Sequence, residues 1–211
     1  MNLKYTSFFI IALVLLGFQS CKEQCEEYFL GDLIYTNPYQ GSETLIYYKS
    51  DGDSLIFKGQ GRYNSVTKAS RNNECYEIEL DDCYFDDIHE KYKLVIRLRP
   101  ATDHGVAEIS LDVQDYFYSD RWHFNSKSYF NLPLSADNMK PDQEYFDSLL
   151  ILNKYYYNVY VGSTILDRTP TTKENMADTI HPSFIYYNIE LGIVKIDFDD
   201  GSTWELKEIL N

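Results

Sequence analysis

The chain has 211 residues, 44% of them hydrophobic and 25% charged, and carries a formal charge of −14. That length and apolar content suit one globular domain with a real core, while the negative charge repels phosphate backbones and argues against nucleic-acid binding. The 20 Tyr, 12 Phe and 2 Trp point to a β-rich fold, because flat rings pack well on a pleated, half-buried surface.

Residues 1–20 read as a secretory signal. Lys4 supplies a positive start, the apolar run from Phe8 to Phe18 is too brief for a comfortable membrane span, and the small residue Ser20 precedes Cys21. Ser20-Cys21 behind such a run resembles the lipobox of bacterial lipoproteins. The resemblance implies that Cys21 becomes the acylated first residue of the mature chain, so that the membrane is a partner through its acyl chains. Each buried methylene contributes roughly 0.8 kcal/mol, and more than one chain anchors stably without a transmembrane helix. Phe18 and Gln19 before the small residue, with Lys22-Glu23 and Glu26-Glu27 after the cysteine, are similar to Bacteroidetes-type lipoproteins and their surface-export signal. This implies a lipid-anchored place at the outer membrane and leaves open which leaflet. Residues 21–28 are then a short tether and 29–211 a single domain.

With Cys21 acylated, Cys25, Cys75 and Cys83 remain for one internal disulfide, with three pairings available. A Cys75–Cys83 bridge requires the intervening chain to turn back, since an extended strand holds its ends too far apart. A link from Cys25 to either would pin the tether to the domain. Spacing leaves the choice open. No histidine motif accompanies these cysteines, which favours structural roles over a nucleophile.

Along the mature chain, short β-branched and aromatic runs alternate with turn residues, which predicts an antiparallel meander. The first hairpin is TLIYYKSDGDSLIFKG, turning at Ser50–Asp53. A second, YKLVIRLRPATDHGVAEISLDV, puts Leu94, Ile96 and Leu98 on one face and turns between Pro100 and Gly105. A third, SLLILNKYYYNVYVGS, has Asn153-Lys154 at its tip. Residues 167–182 read as a long polar loop. The chain closes on two strands before Asp199-Asp200-Gly201 and one after, with Val194, Ile196 and Phe198 sharing a face that Trp204 and Leu206 meet. The expected fold is therefore mainly β, an antiparallel meander forming a sandwich or a partly closed barrel.

The last 65 or so residues also resemble the C-terminal end of uncharacterised Bacteroidetes-type lipoproteins, through Tyr157, Asn158, Val159, Tyr160, Tyr186, Tyr187, Asn188, Gly192, Ile193, Asp200, Gly201, Trp204 and Leu206. That resemblance implies a closing β hairpin and no particular chemistry.

The densest acidic stretch holds Asp81, Asp82, Asp86, Asp87, His89 and Glu90. Its spacing fits no calcium loop, so it reads as a solvated loop. His89, His104, His123 and His181 never pair as HxH or HExxH, and no motif calls for a cofactor. The strongest binding candidate is DYFYSDRWHF, where Tyr116, Tyr118, Trp122 and His123 combine flat rings with polar tips suited to a sugar face or an apolar groove. A β-rich core would use the same residues for packing. The leading functional expectation is a non-catalytic binding module at the envelope, with a protein or glycan partner. An acidic inhibitor or immunity-type protein for a basic partner, and a β-fold hydrolase using carboxylates from residues 81–90, stand behind it.

Overall fold

The computed structural model describes residues 25–71, 74–103, 105, 107–116, 124–133, 139, 141–163, 165–167 and 182–211. In chain order the strands are β1 (Glu26–Tyr28), β2 (Thr44–Lys49), β3 (Ser54–Arg71), β4 (Glu74–Asp87), β5 (Tyr92–Arg99), β6 (Glu108–Tyr116), β7 (Phe124–Pro133), β8 (Gln143–Ile151), β9 (Lys154–Ser163), β10 (Ile165–Asp167), β11 (Pro182–Asn188), β12 (Gly192–Phe198) and β13 (Thr203–Leu210). A 3₁₀ turn at Gly31–Thr36 follows β1.

The strands form one sheet in the order β10-β7-β6-β5-β4-β3-β2-β13-β12-β11-β9-β8, antiparallel except that β1 runs parallel to β4. The sheet curls into a half-barrel. Continuity of the chain helps to draw its two ends together: β9 pairs with β8 and β11, and β10, one residue further on, pairs with β7. The expectation of an antiparallel β fold of the sandwich or partly closed barrel type is met.

Alternation also decides the inside. On β5, Tyr92, Leu94, Ile96 and Leu98 are buried, while Lys93 and Arg97 lie on the opposite face. Val194, Ile196 and Phe198 do the same on β12, opposite Lys195 and Asp197. Trp204 fills the centre, its ring 4.8 Å from Tyr92, 4.7 Å from Phe198 and 5.9 Å from Phe57. Among the described residues, no helix is long and apolar enough to cross a membrane.

Three expectations need correction. The acidic segment is not a solvated loop: Asp81, Asp82, Asp86 and Asp87 belong to β4, with Asp81, Asp82 and Asp87 buried, and only His89 and Glu90 sit in the exposed turn that follows. The tether of residues 21–28 does not reach Tyr28, because Glu26–Tyr28 is already strand β1, paired with Tyr76–Ile78 of β4. The third hairpin turns on Leu152-Asn153, both with positive φ (48° and 60°), one residue earlier than read from the sequence. The polar stretch read as a long loop over residues 167–182 lies mostly outside the described residues, though Pro182 begins β11.

Candidate functional site

A strand covered on one side normally buries one set of alternate residues and wets the other. The β8–β9 hairpin departs from this. Ile151 and Tyr156 point inward, each 3% exposed, and the Tyr156 hydroxyl donates to the Leu206 carbonyl at 3.3 Å. The other face carries Leu150, paired across the hairpin with Tyr155, and Tyr157, paired with Ser148. Leu150 is 52% exposed, Tyr155 61% and Tyr157 62%, with Leu152 at the turn 41% exposed. Large apolar side chains grouped on one outward face are uncommon on a soluble surface and mark interaction sites. Tyrosine suits this position because it offers broad area, a polar tip and little rotamer entropy to lose. Glu144 and Asp147 are exposed on the same strand β8.

A second constellation is polar and buried. The 3₁₀ turn and residues 37–43 form a plug against the inner face of the sheet, held mainly by Arg62 of β3. Its Nε donates to Asp81 Oδ1 at 2.8 Å, and its Nη1 and Nη2 donate to the carbonyls of Tyr39 and Ile34, each at 2.8 Å. Asn37 Nδ2 donates to the other Asp81 oxygen at 2.9 Å. Tyr39 accepts the Ile193 amide at 2.8 Å, Tyr47 donates to the Ile193 carbonyl at 2.9 Å, and Tyr187 donates to the Thr36 carbonyl at 3.0 Å. Burial pushes the phenols of Tyr39, Tyr47 and Tyr187 above the ordinary tyrosine range. Gly192 makes this packing possible: its φ is +81°, and a Cβ there would stand 2.0 Å from the Tyr39 hydroxyl oxygen. Every interaction in this network closes on the protein's own backbone or side chains, which is the signature of a structural joint.

Two of the carboxylates considered for hydrolysis are engaged in the same way. Asp81 is engaged by Arg62 and Asn37, and Asp82 takes a two-pronged contact from Arg97, at 2.6 and 2.8 Å. That hydrogen bonding raises the Arg97 guanidinium pKa and fixes its charge. Among the described residues, no group of His, Cys, Asp or Glu is arranged to hold a metal.

The pairing left open by cysteine spacing is Cys25–Cys75, with the two Cα atoms 4.5 Å apart. A Cys75–Cys83 bridge is impossible because both lie on the single extended strand β4. Among the described cysteines Cys83 is the free thiol; it is fully buried, and burial pushes its pKa up to about 12, so it stays protonated and unreactive at neutral pH. Of the aromatic binding candidates, Tyr116 ends β6 opposite Phe124. Tyr118, Trp122 and His123 lie outside the described residues, as does Cys21.

No protein-family model matches the chain, and neither the curated proteins nor the solved structures contain a significant match.

Sequence reasoning passed over the β8–β9 face, yet a signal for it existed. In Leu149-Leu150-Ile151 and Tyr155-Tyr156-Tyr157 no residue is charged, so whichever parity is buried, the opposite parity must expose apolar side chains.

Proposed function

We propose that this chain is a lipid-anchored cell-envelope protein that binds a partner without catalysis, using the outward face of the β8–β9 hairpin. The observation that carries this reading is the exposed set Leu150, Leu152, Tyr155 and Tyr157 on a hairpin whose inner face is locked into the core. Such a pairing of a rigid support with exposed tyrosines matches the anatomy of interface hot spots. Two leucines beside the tyrosines favour a protein partner over a sugar, since pyranose faces stack on flat rings. The charge of −14, with Asp147 exposed three residues before Leu150 on β8, favours a partner whose contact surface is apolar at its centre and basic at its rim. Acylation of Cys21 would hold the protein where such a partner is met.

The test replaces Tyr157 with a photo-crosslinking amino acid in the full chain and irradiates native envelope. The expected result is one reproducible protein adduct, lost in a Leu150→Ser/Tyr155→Ser background and weakened by salt. Adducts that survive those substitutions overturn the reading. Tyrosine-dependent sedimentation with envelope polysaccharide, in place of a protein adduct, transfers the face to a glycan ligand.

A further inference from the structure

The Cys25–Cys75 bridge and the parallel β1–β4 pair define a direction that the barrel alone does not. Strand β3 pairs with β2 only as far as Lys58 but continues to Arg71, and β4 returns from Glu74, its pairing with β5 beginning at Asp81. Beyond those last partners the two strands form an arm. At about 3.3 Å per residue, the stretch from Asn64 to Arg71 alone spans about 23 Å. Tyr63 to Ser70 are all exposed along it.

Cys75 is the second residue of β4, at the tip of this arm. Because β1 runs parallel to β4, the chain passing from Cys25 through Tyr28 travels from the tip toward the barrel, where the Leu30 amide reaches Glu79 Oε2 at 2.8 Å. Cys25, the first of the described residues, therefore sits at the tip. The disulfide and three strands stiffen the arm, aided by Lys68–Glu77 at 2.6 Å, Asn64–Glu79 at 2.7 Å and the Tyr28–Tyr76 ring contact at 6.0 Å.

We propose that the tip of the β3–β4 arm, at the Cys25–Cys75 bridge, is the bilayer-facing end of the protein, and that the arm is a stalk standing the barrel off a lipid surface. The proposal rests on the reading of Cys21 as the anchor. Between Cys21 and Cys25 an extended chain reaches at most about 14 Å, so an anchored Cys21 holds the tip against the headgroups. The flank of the arm resists lying down: Glu26, Glu27, Glu74, Glu77 and Glu79 along β1 and β4 outnumber Lys68 and Arg71 on β3, and the net negative charge is repelled by anionic headgroups. The turn at Ser50–Asp53 lies at the opposite end of β3, about 55 Å along the strand from Arg71.

The test uses the natively acylated full-length mature protein in vesicles of zwitterionic and anionic lipid. A donor dye is placed on an Asp53→Cys form and an acceptor on the headgroups; Cys83 is buried and Cys25 and Cys75 are bridged. The expected result is weak energy transfer that rises severalfold in a Cys25→Ser/Cys75→Ser form, whose N-terminal segment is free to peel from β4 and let the barrel settle. Strong transfer in the bridged protein, or equal transfer in both forms, overturns the stalk. A parallel sample with residue 21 coupled chemically to a synthetic lipid separates the two claims. If native protein carries no acyl mass, the anchor reading fails; if the coupled sample still shows strong transfer, the stalk geometry itself is wrong.

Discussion

Replacing Arg62 with methionine should unfold the joint between the N-terminal plug and the sheet. Asp81 is fully buried with a side-chain exposure of 1%, and among the described residues Arg62 is its cationic contact, at 2.8 Å. Removing it leaves a carboxylate held by Asn37 alone, takes the donor from the Ile34 carbonyl, and leaves the Tyr39 carbonyl with only the weak Cys83 thiol contact at 3.6 Å. Breaking a buried pair from one side costs about 3–5 kcal/mol, because the surviving charge keeps its desolvation penalty without compensation. Against a typical total of about 5–15 kcal/mol this is a large fraction, equivalent to a fall in Tm of about 6–20 °C for a chain of this size. Urea unfolding followed by Trp204 fluorescence provides the assay, since that ring is 2% exposed at the centre of the core. The Arg62→Met/Asp81→Leu double variant removes the stranded charge and should regain most of the loss, as apolar replacements of buried pairs commonly do. A single variant within about 1 kcal/mol of wild type, or a double variant no better than the single, refutes the reasoning.

Gly192→Ala drives a methyl group into the Tyr39 ring at a left-handed backbone position, and should cost about 3 kcal/mol or more, read as a lower midpoint in the same urea titration. Removing the bridge by Cys75→Ser frees a loop of 50 residues in the unfolded chain and should lower stability by about 4 kcal/mol; a midpoint equal to wild type contradicts this. Alkali should unfold the protein cooperatively. The Cys83 thiol is raised by burial from 9.0 to about 12, and the Tyr39, Tyr47 and Tyr187 phenols are raised too, so the unfolded chain releases these protons first. Stability is then complete below about pH 9 and is lost as pH climbs toward 12. Near-ultraviolet circular dichroism against pH should show that loss, and a flat profile through pH 11 would argue against it.

What the sequence revealed follows its local chemistry. Strands β5 and β12 largely alternate apolar and polar residues between turn signals, so their ends and buried faces could be read directly. The outer half of β3, NSVTKASR, carries no such alternation, because neither of its faces is buried; it is a strand only because β4 pairs with it. The inward positions of β4 are Asp81, Cys83, Phe85 and Asp87, which looks like a solvated acidic run. Asp81 becomes tolerable there through Arg62, placed opposite by the long hairpin, and such a pairing across strands leaves no local mark. Strand β1 is equally hidden: three residues pair because a disulfide brings them alongside β4. The exposed β8–β9 face left a signal in two runs of apolar and aromatic residues, but its exposure depends on β11 pairing with β9 only from Val159 onward.

The central claim is that the mature protein is held to a membrane by Cys21. Its most direct test is intact mass and unreduced peptide mapping of protein taken from native envelope. The account expects a chain beginning at Cys21, acyl mass on that residue, and the same peptide linked through Cys25 to Cys75. An unacylated Cys21, with the protein in the aqueous phase of a detergent partition, would contradict the anchor and with it the stalk.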